Sequence, residues 1–395
     1  MEPLRYDPFA PEVMTDPLPI YARMREEDPV CFVPRFECFA LTRFEDIWAT
    51  ARDWETFSVE RGTTSAQLLT RKMGPYPALG NLDPPRQKER RKIVNPLMTP
   101  GAVRRLEEPL RAIARGQAAL LRESGELDVV TDYAARIAIG ALCLSTGFPI
   151  EDAEQLRQWV NAIFVREPGG GGLRPEGVAA YDALSCYAMD LIARHRSGRS
   201  GPGGLIALLG EARVEGGRAL DDDEIAGHLR EFMIGGTETF QKAFAACIHR
   251  LGEHPDQRAE VVRDPSLARD AFLEALRHDT PGQFMGRTAL RDTSIAGVPV
   301  AKDQVVLLIW PSGNRDPREF ADPDRFDIHR RAPRMLAFGA GVHDCLGRHV
   351  AVAEGTIGVQ CLLEAAPEYV LELDRSLRLA SEFIQGFTFL PIRAR

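Results

Sequence analysis

The chain has 395 residues, with 49 Lys and Arg against 57 Asp and Glu, a formal net charge of −8. At 44% hydrophobic and 27% charged it has the make-up of a folded globular protein, which excludes disorder as the main state. The acidic balance excludes a dedicated nucleic-acid binder, which carries a basic face.

Residues 1–19 are rich in proline and acid and lack an apolar leader core, so no signal peptide is expected. Residues 17–28 have apolar side chains at helical spacing, 30–42 read as strand, and 44–57 return to a helical period. Residues 61–82 contain Gly62, Gly74, Pro75, Pro77 and Gly80, show no period, and read as a long loop of the kind usually tied to function. From Pro85 the pattern is helical, punctuated by Pro100 and Gly101 and resumed over 102–124. Residues 129–146 predict a buried apolar helix, and 151–164 and 176–196 predict two more helices. Four consecutive glycines within 167–175 exclude regular structure between these two, which together read as a lid.

Residues 221–254 form the longest helical pattern, opened by Asp221, Asp222 and Asp223 and stopped by Gly252 and Pro255. A helix of about 30 residues spans about 45 Å. Strands are predicted over 293–300, 304–309 and 387–392, and a helix over 346–364. With neither repeat nor linker, residues 1–395 read as one mostly-α domain with small sheets. The longest uncharged apolar run, 137–150, is shorter than the ~18–20 residues that span a membrane. Seven scattered cysteines without CxxC spacing fit a reducing compartment, so the expectation is a soluble cytoplasmic protein.

The chemistry centres on Phe338-Gly339-Ala340-Gly341-Val342-His343-Asp344-Cys345-Leu346-Gly347. The glycines let backbone approach a flat ligand, and the following helix offers N–H groups that lower a thiol's pKa. Cys345 therefore reads as a pre-ionised thiolate, against two alternatives: a structural cysteine beside a turn, or a nucleophile with His343 or His349 as base. The closeness of those histidines in sequence speaks against the last.

This run, with Phe338, Gly341, Cys345 and Gly347 in the pattern F-x-x-G-x-x-x-C-x-G, resembles the haem-binding loop of the cytochrome P450 superfamily in its soluble bacterial form. Three further segments resemble the family in the right order. Glu274 and Arg277 share a helix face among Phe272, Leu273 and Leu276; the resemblance makes them a structural brace behind the haem loop. Gly235-Gly236-Thr237-Glu238-Thr239 puts two glycines in a helix interior, at roughly 1 kcal/mol each relative to alanine, where a ligand approaches the backbone or the helix opens. Carried over, Thr239 hydrogen-bonds iron-bound oxygen and Glu238 takes part in proton supply; Phe240 stands where a second threonine is common. In residues 83–91, Arg91 matches an arginine that pairs with a haem propionate and Gln87 replaces the usual histidine. Arg287 and His343 match two further propionate partners.

The resemblance implies the triangular, mostly-α fold of that family, haem b with Cys345 as axial ligand, and insertion of one oxygen atom of O2 into a substrate. It places Gly235, Gly236, Gly339, Gly341 and Gly347 against the haem. Electrons are expected from a ferredoxin and its reductase, docking on a basic cluster of Arg86, Lys88, Arg90 and Lys92. The rivals are a peroxide-driven haem-thiolate enzyme, disfavoured by the intact Glu238–Thr239 pair, and a haem sensor. The pocket is expected to include Leu79, Phe164, Ile234, Phe284, Met285 and Phe387, with Leu68, Leu69, Met73 and Tyr76 nearby and Gln283 or Tyr76 as polar groups. Such a lining favours a neutral terpenoid, steroid-like or aromatic substrate. The competing reading is a carboxylate held by Arg61, Arg71 or Lys72.

Overall fold

The computed structural model describes residues 4–68, 78–166, 173–199 and 203–395. The helix that carries the central motif starts at a reciprocal cap. Asp221 accepts the N–H of Glu224 at 2.8 Å, and Glu224 accepts the N–H of Asp221 at 3.1 Å. It runs over Asp222–Gly235 and stops. Thr237 leaves helical geometry, at φ −118° and ψ −64°, and a second helix, Glu238–Glu253, begins. The single helix expected over 221–254 is thus two. Gly235 and Gly236 lower the cost of breaking it, and the Thr237 hydroxyl donates to Met233 O at 3.1 Å, competing with the backbone ladder.

Around this pair pack the apolar stretch Val129–Thr146 and the helices Ala268–His278 and Arg348–Ala365, with Tyr133, Phe244, Phe272 and Ile357 in the shared core. Val129–Thr146 has mean hydropathy 1.3 and is long and apolar enough to cross a membrane, yet 78% of it is buried inside the protein, as a core helix is. A second core joins the helices Ala153–Phe164 and Pro175–Arg196 to the first half of the broken helix, through Leu156, Val160, Leu184, Leu229 and Met233. Residues 167–172, with the four glycines, lie outside the described residues, as do Leu69, Arg71, Lys72, Met73 and Tyr76.

The main sheet orders its strands Val30–Val33, Cys38–Leu41, Val305–Ile309, Phe284–Ala289, Phe57–Ser58. Val305–Ile309 is parallel to Cys38–Leu41 and antiparallel to Phe284–Ala289.

Several boundaries depart from the sequence pattern. Residues 44–57 divide into the helix Phe44–Arg52 and the strand Phe57–Ser58. Residues 102–124 divide into Pro100–Arg104 and Glu107–Ser124. Residues 293–300 fold as a hairpin turning at Ala296 and Gly297, both at positive φ. Residues 387–392 fall into the strands Gly386–Phe389 and Pro391–Arg393. The helix Gly204–Glu211 was not expected.

Candidate functional site

Residues 338–347 leave the end of one loop and re-enter helix at Arg348. Cys345 N–H donates to Phe338 O at 2.8 Å, closing the loop on itself. Gly341, at φ 77°, lies where a Cβ would come within 2.8 Å of Ala51 O, so only glycine lets the loop pass the helix Phe44–Arg52. Cys345 is exposed. Its thiol is nevertheless pushed up by desolvation, with the Gly347 N–H, Arg348 and Arg91 pulling the other way.

The broken helix supplies a second accessible wall. Gly235, Gly236 and Thr239 are exposed, although Met233, Thr237, Glu238 and Phe240 around them are buried. Thr239 Oγ donates to Gly235 O at 3.3 Å. Glu238 turns into the protein, with Oε1 2.7 Å from Lys242 Nζ. Leu346, beside Cys345, and Phe232, one turn before Gly236, pack against the same two apolar cores.

Between the loop and the helix Arg86–Met98 lies a group of donors. Gln87 Nε2 donates to Val342 O at 2.6 Å, and Arg91 donates to Asp344 O and Asp344 Oδ1, each at 2.8 Å. Arg287 is 4% exposed, hydrogen-bonds only to Gly286 O, and forms no ion pair among the described residues. Burial pushes it down to about 10. His343 stands 4.0 Å from Asp83 and is pushed down to about 3 by burial, with Arg287 and Arg91 adding to it, so it is neutral. Gln87 Oε1 and His343 Nε2 are buried without partners. A buried guanidinium without a carboxylate is costly unless an anion meets it. One exposed thiol, glycine-lined walls and an uncompensated cation fit a flat, iron-bearing group with carboxylates on one edge, as haem b is. Arg91 is the exception, since Asp344 already holds it.

Glu274 and Arg277 make a bidentate pair, both distances 2.8 Å, at 3% and 0% exposure. Arg277 also donates to Asn314 O and Pro323 O, and Glu274 accepts from Arg330 and from Asp327 N–H. The pair ties helix Ala268–His278 to the segment leading into the cysteine loop.

The expected pocket residues divide. Phe164 stacks on Phe383 at 6.4 Å and 4°, and Phe284 meets Phe383 edge-on at 6.3 Å. Leu79 and Ile234 pack with the same core as Phe164. Phe387 lies elsewhere, its ring 5.0 Å from His249 and under Arg378; Phe383 takes the place expected of it. Met285 alternates with Phe284 and shares the strand face of Arg287. Gln283 points into the core, its Nε2 donating to Thr280 O and Pro281 O and its Oε1 accepting from Tyr21, so it cannot orient a ligand. Arg61 pairs with Asp303 at the surface.

The basic cluster also divides. Arg90 is 1% exposed and buried against Glu224 and Glu215 at 3.0 and 3.1 Å, and Arg86 pairs with Glu60 and Glu215. Only Lys88, whose ammonium lies over Trp54, and Lys92 remain exposed without an ion pair among the described residues. Arg52, against the cysteine loop, extends that face. Sequence reasoning missed Asn161, Arg166, Lys242 and Glu382; only Lys242, four residues after Glu238, carried a local signal.

The family model described as Cytochrome P450 matches residues 266–366. Cytochrome P450 123 of Mycobacterium tuberculosis is 31% identical over 98% of this chain and 96% of its own length. The vitamin D(3) 25-hydroxylase of Pseudonocardia autotrophica is 30% identical over 98% and 96%. Among solved structures, a Bacillus megaterium P450 in complex with testosterone superposes at TM-score 0.87 and 26% identity, covering 98% of this chain and 100% of that one. A mutant of P450 EryK in complex with erythromycin B superposes at 0.86 and 29%, covering 98% and 97%.

Proposed function

Because the chain belongs to the cytochrome P450 family, whose members bind haem through a cysteine thiolate, we infer that it is a single-domain monooxygenase, residues 1–395, that hydroxylates a small neutral hydrophobic molecule in the cytoplasm. Haem, when bound, supplies O2 activation and transfer of one oxygen atom. In this reading the Cys345 thiolate would hold the haem iron. Arg287, His343 and Gln87 meet the propionates, and Arg91 anchors the loop through Asp344 while reaching the same edge. Thr239, on the accessible wall, holds a proton at its hydroxyl, and Glu238, buried beside it, passes protons to it.

The observation that carries the reading is the exposed Cys345 thiol in its glycine loop, together with a helix broken after Gly235 and a buried Arg287 that has no ion pair among the described residues. Phe164, Phe383 and Phe284, with Leu79 and Ile234, give an apolar lining that favours terpenoid, steroid-like or aromatic substrates, held by burial at ~25 cal/mol per Å². The steroid in the Bacillus megaterium P450 and the vitamin D(3) activity of the Pseudonocardia relative support the same class.

Electrons come from a ferredoxin and its reductase, docking on the face of Lys88, Lys92 and Arg52. The test compares turnover of a steroid and terpenoid panel under 18O2 with reduced ferredoxin, with peroxide, and with neither. One labelled oxygen in product with ferredoxin alone supports the reading. Product from peroxide only makes the protein a peroxide-driven enzyme, and binding without product under all three conditions makes it a haem ligand-binding protein.

A further inference from the structure

Glu238 is held by more than its own helix. Lys242, one turn on, is 3% exposed and places Nζ 2.7 Å from Oε1. Its stem lies under Gly386 of the C-terminal hairpin, where a Cβ would come within 2.7 Å of Lys242 Cβ, so the lysine has no route to solvent. The other oxygen, Oε2, faces Asn161 of the lid helix Ala153–Phe164. With the amide turned to satisfy both ends, its nitrogen donates to Oε2 at 2.7 Å and its oxygen accepts from Arg157. Arg157 is itself paired with Glu154, which also meets Arg136. The charged groups facing Glu238 are therefore Lys242 on its own helix and Arg157 on the lid. With Oε1 on Lys242 and Oε2 on Asn161, the carboxylate is held toward the lid helix.

We propose that Lys242 is the positioning residue of the proton relay, holding the Glu238 carboxyl group turned toward the lid helix until a proton arrives. The inference rests on the reading of Glu238 as a proton carrier. A proton from solvent reaches Oε2 on the lid side and makes the carboxyl neutral. The neutral acid no longer attracts the ammonium and turns toward Thr239. There it gives up the proton, and the carboxylate returns to Lys242. Asn161 makes the uptake step sensitive to the seat of the lid helix.

The test uses the haem-loaded protein in four forms: wild type, Lys242→Met, Lys242→Arg and Glu238→Gln, with the Glu238→Gln/Lys242→Met double variant as control for folding. Two quantities are read: the pH profile of product formed per electron pair, and the thermal midpoint of the ferric protein. Without the ammonium the buried carboxylate holds its proton more tightly, so Lys242→Met moves the limb set by Glu238 upward by roughly one pH unit or more. Lys242→Arg keeps the limb in place. In the thermal cycle the double variant is more stable than the sum of the two single losses, because it leaves no unpaired charge. A Lys242→Met profile superimposable on wild type, while Glu238→Gln abolishes the limb, overturns the role of Lys242 alone. If Glu238→Gln leaves both profile and coupling unchanged, the reading of Glu238 itself fails.

Discussion

Arg166, two residues beyond the lid helix, donates through Nε to both oxygens of Glu382 at 3.1 Å, and the two side chains are 4% and 2% exposed. Ser65 Oγ donates to the same carboxylate at 2.6 Å. One dehydrated ion pair thus fastens three segments distant in sequence: the lid, the C-terminal turn and the start of the long loop. Phe383, next to Glu382, carries the aromatic stack on Phe164. Arg166→Met leaves Glu382 charged and buried with only the hydroxyls of Ser65 and Ser381 among the described residues, at a cost of about 3–5 kcal/mol if the site stays shut. It is relieved by opening, so substrate association and release in rapid-mixing optical experiments are expected to accelerate by about tenfold or more. Unchanged rates would remove the latch from the account.

Cys345→Ser is expected to abolish the red-shifted carbon-monoxide band of the reduced haem protein, and Cys345→His to replace it with the band of imidazole ligation. Survival of the thiolate band in either variant assigns the ligand elsewhere.

Thr239→Ala keeps the apolar pocket intact and removes the hydroxyl from the accessible wall. Substrate affinity is expected to hold within about threefold, less than 1 kcal/mol, while most electrons are lost to peroxide. The check is peroxide and product measured against NAD(P)H consumed.

The corrected docking face separates two kinds of arginine and lysine. Lys88→Glu with Lys92→Glu is expected to weaken ferredoxin association by about tenfold at low salt, with the difference shrinking as ionic strength rises. Arg90→Gln leaves Glu224 and Glu215 short of a partner and shows as lost stability, with little effect on the salt dependence. A salt-independent reduction rate would move the docking site to another face.

His228, buried on the helix Asp222–Gly235, is pushed down to about 4, first by burial and then by Arg90, with Glu224 opposing. The unfolded chain, titrating near 6.5, binds more protons between those values. The contribution of a neutral His228 is therefore fully present above about pH 6.5 and is lost as pH falls toward 4, about 3 kcal/mol in all. His228→Gln is expected to flatten the fall in thermal midpoint between pH 7 and pH 5; an equal fall in both proteins assigns the acid sensitivity to other groups.

The parts of this molecule legible from sequence are those whose cause is local. The cap at Asp221, the glycines around Cys345 and the i, i+3 spacing of Glu274 and Arg277 each state a geometry within a few residues. What escaped was set by partners far along the chain. Arg90 read as one of a solvated row because Glu215 and Glu224 come more than a hundred residues later. Gln283 read as a pocket group because Tyr21, which takes its carbonyl, lies at the other end of the chain. Phe387 and Phe383 are both aromatics of one turn region, and only the register of Gly386–Phe389 with its neighbours decides which faces Phe164. The break at Thr237 was one of two readings of the glycine pair, left open because the apolar spacing continues across it.

That break has an electrostatic result. A continuous helix has no end at its midpoint; its peptide dipoles cancel head to tail except at the distant termini. Dividing it after Gly235 creates a new amino-terminal end at Glu238, whose N-cap residue Thr237 gives its hydroxyl to Met233 and offers no side-chain cap. The same break leaves the carbonyl end of Asp222–Gly235 next to it, so an acceptor-rich and a donor-rich helix end meet across Gly236 and Thr237, on the accessible wall that holds Thr239. A small ligand at this wall would meet backbone groups of both kinds, oriented in advance, without any side chain having to move. Two glycines and an uncapped threonine thereby open the backbone of a structural helix at its midpoint.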